Sequence, residues 1–194
     1  MLKEIGSDFF FFFRNYCNDS HSQFDTALFG CIGTDCAWFS TGRSATSFVL
    51  DTIEIRNPKI NKVAILPPFT CHTVIEPFIR RGYDVQTYHV GRELTTTAND
   101  ILQSAISSQA GVLLFHRFFG VDTIKDIDVI LPKLREMGVV VIEDCTQCLY
   151  SDFKKSDADY WVGSIRKWCG VPDGGFAVCK DGCFVETPTE IDIK

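Results

Sequence analysis

The stretch Gly138–Gly175 constrains this chain more than any other. It begins GVVVIEDCTQC, continues through an acidic and aromatic spacer, and ends SIRKWCGVPDGG. An apolar run from Val139 to Ile142 reads as a buried strand, and it ends in the pair Glu143-Asp144. Such a strand delivers a carboxylate to its C-terminal end, which is where open α/β sheets bind ligands. Lys167 follows twenty-three positions after Asp144, in a short turn closed by Gly174-Gly175. The pattern therefore predicts an acid and an amine brought to one end of a sheet.

The rest of the chain supports a layered α/β domain. Strands are expected at Lys62–Leu66, Asp84–Tyr88, Gly111–Phe115 and Phe176–Cys179, and helices at Thr70–Arg81 and Asn99–Ser107. An amphipathic helix is expected over Ile124–Met137, kinked or split by Pro132 and ended by Gly138. Strands alternating with helices predict a mostly parallel, doubly wound sheet. Residues 1–37 mix apolar, polar and cysteine positions and read as an irregular N-terminal segment, with the domain running over 38–194.

Composition excludes several classes. With 194 residues, 45% apolar and 23% charged, the chain can build one sizeable core. A net charge of −6 argues against a nucleic-acid partner, which usually meets a basic face. No apolar run approaches the roughly 18 residues of a membrane-spanning helix, and Phe9–Phe13 is too short for a signal peptide. Nine cysteines without framework spacing suit a reducing cytoplasm. Cys145-x-x-Cys148 lacks a second ligand pair and the four histidines show no ligand spacing, so no metal is assigned.

Ahead of this stretch, WFSTGRSATSFVLDTI places Ser40, Thr41 and Gly42 before apolar residues at Ala45, Phe48, Val49 and Ile53. That is a capped helix start, whose free backbone N–H groups form an anion site with Arg43 beside it. A solvated Arg on an ordinary helix is the bland alternative. A carboxylate and a lysine placed as Asp144 and Lys167 are also what pyridoxal phosphate (PLP) chemistry needs. The amine anchors the aldehyde, and the carboxylate keeps the pyridine nitrogen protonated.

In this order the helix start, the loop PPFTCHTV, the strand ending IEDCTQ and the Lys-x6-Gly-Gly turn resemble the DegT/DnrJ/StrS-type nucleotide-sugar aminotransferases. These are PLP enzymes of fold type I, and the resemblance covers about Phe39 to Asp181. It implies Lys167 as the Schiff-base lysine and proton shuttle, and Asp144 as partner of the pyridine nitrogen. Gln147 would stand near the ring's phenolic oxygen, and Gly42, Arg43 and Ser44 would hold the phosphate. Cys71 stands where the family places a ring-stacking aromatic. Ser164 stands three positions before the lysine, whereas the family's phosphate-binding serine aligns with Val162. Arg117 takes the family histidine's spacing to Gly120, with His116 before it.

The resemblance further implies a cytoplasmic homodimer that takes an amino donor and a nucleotide-sugar. It also implies a C-terminal segment, absent from this chain, that completes the large domain and supplies a small one. A catalytically silent relative stays open as an alternative. So does a nucleotide-binding α/β domain without PLP, although neither a Gly-x-Gly-x-x-Gly nor a Walker-type run supports it.

Overall fold

The computed structural model describes residues 35–185 together with the backbone of Arg14–Asn15. Phe9–Phe13 and most of the segment expected to be irregular lie outside the described residues. The strands are β1 (Arg14–Asn15), β2 (Asp35–Phe39), β3 (Val63–Leu66), β4 (Asp84–Thr87), β5 (Thr96–Thr97) and β6 (Val112–Phe115). They continue with β7 (Ile124–Lys125), β8 (Val140–Asp144), β9 (Tyr160–Ser164) and β10 (Gly175–Cys179). The helices are α1 (Gly42–Arg56), α2 (His72–Arg80), α3 (Ala98–Ser108) and α4 (Leu131–Glu136).

Eight strands form one sheet in the order β1-β2-β10-β9-β8-β6-β3-β4. From β9 through β8, β6 and β3 to β4 every pairing is parallel. β10 runs antiparallel to both β9 and β2, and β1 pairs antiparallel with β2. The expected parallel α/β sheet is therefore present, with an antiparallel edge added to it.

Period-two alternation in the strands sends side chains to two separate cores. Ala64, Leu66, Val112, Leu114 and Ile142 face one layer, where α1 contributes Phe48, Val49 and Ile53 and α2 contributes Phe78. Ile65, Leu113, Phe115 and Val141 face the other, against Ile101 and Ala105 of α3 and Leu131 and Leu134 of α4. Covering on both faces explains why β6 and β10 are buried at every residue, whereas the edge strand β4 is mostly exposed. Each buried Leu, Ile or Phe contributes about 1.5–3 kcal/mol, so this double core is the main source of stability.

The single helix expected over Ile124–Met137 is corrected by the structure. Ile124–Lys125 is a short strand paired in parallel with β5, Asp126 is left-handed at φ 57°, and Ile127–Val129 forms a 3-10 turn. Pro132 then sits in the first turn of α4. Proline lacks an N–H and fixes φ, so it is tolerated at a helix start and not in its interior. Further strands went unread in the sequence: β1 and β2 begin inside the segment expected to be irregular, β5 is a two-residue strand, and β9 lies inside the expected spacer.

Candidate active site

Strands β3, β6, β8 and β9 run in one direction, so their C-terminal ends converge at one edge of the sheet. A cleft of about 520 Å³ lies there, against the start of α1. It is lined by Gly42 and Arg43 from the helix start, Cys71 after β3, His116 after β6, and Asp144 and Gln147 at the end of β8. Ser164 and Lys167 complete it at the end of β9. Seven of the eight sequence-proposed site residues line this cleft. Ser44 does not.

The departure of Ser44 has a local cause. Thr41 caps α1 by accepting the Ser44 N–H on its hydroxyl at 3.1 Å, and the two hydroxyl oxygens lie 3.0 Å apart. The Ser44 amide is therefore already satisfied within the cap. The N–H groups of Gly42 and Arg43 have no acceptor within the helix. The Arg43 side chain reaches across to Glu76 on α2, with Nη1 to Oε2 at 2.9 Å.

Asp144 is 5% exposed. Its Oδ1 accepts the N–H of Thr146 at 2.8 Å, and its other oxygen has no hydrogen bond among the described residues. Beside it, Glu143 is fully buried and points away into a second network. Arg117 donates to Glu143 Oε1, and its Nε binds Asp122 at 2.8 Å. Ser156 donates its N–H at 2.9 Å and its hydroxyl at 2.7 Å to Glu143 Oε2. The Arg117 guanidinium also lies over the Phe153 ring, 4.8 Å from its centroid. Arg117 is thus a packed structural cation rather than part of the cleft, and His116 takes the place facing it.

Lys167 ends a 3-10 turn, Ile165–Lys167, and its amine has no ion-pair partner among the described residues. The turn is fixed from both sides. Trp168 donates its indole N–H to the Thr146 carbonyl at 2.7 Å, which ties the lysine turn to the turn after Asp144. Ile165 N–H donates to the Gly174 carbonyl at 3.0 Å, and Gly174 N–H donates to Ser40 at 2.7 Å. Glycine is required in that second clamp. A Cβ at Gly174 would stand 2.4 Å from the Ile165 side chain, and one at Gly175 would stand 2.2 Å from the Thr41 carbonyl oxygen. The Gly-Gly pair lets β10 press the helix start and the lysine turn together.

Ser164 directs its hydroxyl proton to the Gly174 carbonyl at 3.2 Å. Gln147 accepts the Phe119 N–H at 3.0 Å, which leaves its NH₂ group as a donor. Cys71 is exposed and accepts from the Thr73 hydroxyl at 3.1 Å. That hydrogen bond, helped by the nearby Lys167 and Arg43 charges, lowers the thiol pKa below its usual value. His116 is 2% exposed, and its pKa is lowered chiefly by burial, against the opposing charge of Asp144.

Glu143, Cys145 and Cys148 bring their ligand atoms within 4.8 Å of one another. Both carboxylate oxygens are already engaged by Arg117 and Ser156, which leaves two buried thiols and no metal-binding set. Among the described residues no helix is long and apolar enough to cross a membrane.

No protein-family model and no curated protein matches the chain in sequence. Its fold does have solved counterparts. Helicobacter pylori PseC, an aminotransferase of pseudaminic acid biosynthesis, superposes with a TM-score of 0.66 at 13% identity, over 81% of this chain and 42% of its own. A putative sugar aminotransferase from Streptococcus pneumoniae, solved in its PLP form, gives 0.64 at 16% identity, over 81% and 44%. A GDP-4-keto-6-deoxymannose-3-dehydratase gives 0.66 at 17% identity, over 80% and 42%. The chain shares the α/β fold of these sugar-modifying enzymes and spans less than half the length of each.

Proposed function

We propose that this chain is the cofactor-binding part of a PLP-dependent aminotransferase that moves an amino group onto a nucleotide-linked keto-sugar. The observation that carries this reading is the convergence on one cleft of a buried carboxylate and a lysine without an ion-pair partner among the described residues, beside a helix start. The donor set suits PLP. Asp144 offers a free oxygen to a cationic ring nitrogen, Lys167 offers a primary amine to an aldehyde, and Gly42 and Arg43 offer amides to a phosphate. The fold counterparts include a sugar aminotransferase in its PLP form, which favours the same cofactor and substrate class.

PLP, when bound, supplies the electron sink that acidifies a substrate C–H bond. Everything else falls to the protein. The oxygen of Asp144 that Thr146 leaves free would accept from the protonated ring nitrogen. Lys167 would hold the cofactor aldehyde through its amine and, when free, would take a proton from the substrate carbon on Nζ. Gln147 would offer its NH₂ group to the ring oxygen, and Cys71 and His116 would line the cleft beside the ring.

The test is amination of a nucleotide-linked keto-sugar by a chain extended through the segment its fold counterparts possess, with glutamate as donor and mass spectrometry as the readout. Incorporation of the donor nitrogen, lost in Lys167→Ala, is the expected result. Conversion that survives Lys167→Ala would refute the proposed mechanism. A homodimer in the cytoplasm remains part of the proposal, to be checked by light scattering on the same protein.

A further inference from the structure

Two thiols beside the cleft have no part in its chemistry. Cys145 and Cys148 are free, 1% and 0% exposed, and directly follow Asp144 and Gln147. The Cys148 N–H donates to the Cys145 carbonyl at 3.0 Å, so the four residues form one tight turn. The ends of such a turn lie within about 7 Å, and a disulfide spans Cα atoms about 4.4–6.8 Å apart. The two sulfurs already lie within 4.8 Å of each other. A bridge of about 2.05 Å therefore closes with little backbone movement. The hydrogen bond between the thiols lowers the Cys148 pKa and raises that of Cys145, which divides the pair into an attacking and a resolving sulfur.

The residues between them, Thr146 and Gln147, hold the cleft together. Thr146 donates its N–H to Asp144 Oδ1 at 2.8 Å and accepts the indole N–H of Trp168, the neighbour of Lys167, at 2.7 Å. Gln147 accepts the Phe119 N–H at 3.0 Å. A bridge across the turn strains all three bonds. Segment 151–158 has neither helix nor strand; it packs Phe153 on the core cluster that holds both cysteines, and Lys155 donates to the Cys148 carbonyl. An irregular segment of this kind opens at lower free energy than the sheet, which admits a water-sized oxidant.

We propose that Cys145-Cys148 is an oxidative modification site, closed to a disulfide by a hydroperoxide, and that closure displaces Thr146 and Gln147 and releases the ligand of the cleft. The Cys148 thiolate attacks a peroxide oxygen, the O–O bond breaks, and hydroxide leaves with the proton that Cys148 gave up, so that a sulfenic acid remains. The Cys145 sulfur then attacks Cys148, an S–S bond replaces the S–O bond, and a second water leaves with the Cys145 proton. Two thiols and one peroxide become one disulfide and two waters, with two electrons passing from sulfur to peroxide. The release of ligand rests on the PLP reading, whereas the bridge does not.

Trypsin, cutting after Lys and Arg, places these two cysteines and no other in one peptide, Glu136–Lys154. The reduced full chain is treated with hydrogen peroxide, denatured, alkylated with iodoacetamide and mapped by mass. We expect this peptide to lose two hydrogens and escape alkylation at both thiols, and dithiothreitol to restore both. A peptide still doubly alkylated after exposed Cys71 has been oxidised would overturn the proposal, as would a sulfinic acid in place of the bridge.

PLP retention is then compared, oxidised against reduced, in wild type and Cys148→Ser. Oxidation of Cys71 is common to both and cancels. Wild type should lose about tenfold more than the variant, the worth of one hydrogen bond to a charged group, and recover with dithiothreitol. Equal losses would overturn the proposed release. A reduced wild type that takes up no PLP would refute the cofactor reading, and the Trp168 indole ¹⁵N signal, assigned by its loss in Trp168→Phe, would then decide the coupling. That signal should move on oxidation of the wild type, and an unmoved signal would overturn the proposal. Neither it nor the mass map depends on Cys148→Ser folding.

Discussion

Replacing Arg117 with Met removes one half of an ion pair whose other half, Glu143, is 0% exposed. Met keeps most of the apolar stem that packs on Phe153 but leaves the carboxylate facing no cation. Breaking a buried pair from one side costs about 3–5 kcal/mol, mainly because the remaining charge is stranded. Ser156 still donates twice to Glu143 Oε2, and Asp122 is 41% exposed and returns to solvent at little cost. These features place the expected loss at the lower end, about 3 kcal/mol. With a urea slope of about 2 kcal/mol per molar, the midpoint should fall by about 1.5 M. Urea denaturation followed by tryptophan fluorescence measures this directly. The double variant Arg117→Met with Glu143→Gln, in which the stranded charge is gone, should recover a large part of the loss. A midpoint shift below about 0.3 M in Arg117→Met would refute the reasoning. So would a double variant less stable than the single.

Two further outcomes follow from the same geometry. Gly175→Ala places a Cβ against the Thr41 backbone, where no side chain can yield, so β10 must withdraw from the helix start. We expect a destabilisation of about 1–3 kcal/mol in denaturation and weakened PLP uptake, and unchanged uptake would show that the cradle does not depend on this contact. Cys71, exposed and with its pKa lowered by Thr73, should react with iodoacetamide ahead of buried Cys145 and Cys148. Its labelling rate should rise with pH through a midpoint below that of a free thiol, and Thr73→Val should move that midpoint up. Mass mapping of the labelled peptides decides it.

Strands β3, β6 and β8 were legible because they are apolar runs punctuated by Gly and Pro. Val139–Ile142 ending in Glu143-Asp144 is the clearest case, and the structure places a strand at Val140–Asp144. β9, where the parallel strands meet the antiparallel β10, was not legible. β9 reads YWVGS, with a mid-strand glycine that exists because the Phe176 ring lies 2.5 Å from where its Cβ would stand. That contact comes from a neighbouring strand and leaves no local signal. Likewise nothing in the sequence joins Arg117 to Glu143, twenty-six residues apart, so Arg117 read as a shifted site residue.

The eight proposed site residues fared according to how local their signal was. Asp144 and Lys167 follow from strand ends and turn glycines, and both reach the cleft. Ser44 failed to reach it because the capping geometry that makes α1 start at Gly42 also takes the Ser44 amide. His116 was visible only as the residue before Arg117. Its place in the cleft is a property of the packed structure and not of a local sequence signal.

The most direct test of the account is borohydride reduction of the chain in the presence of PLP, followed by peptide mass mapping. The account predicts a stable pyridoxyl adduct on Lys167, absent from Lys167→Ala and diminished in Asp144→Asn. An adduct spread over surface lysines, or none on Lys167 even in a chain extended through the segment its fold counterparts possess, would contradict it.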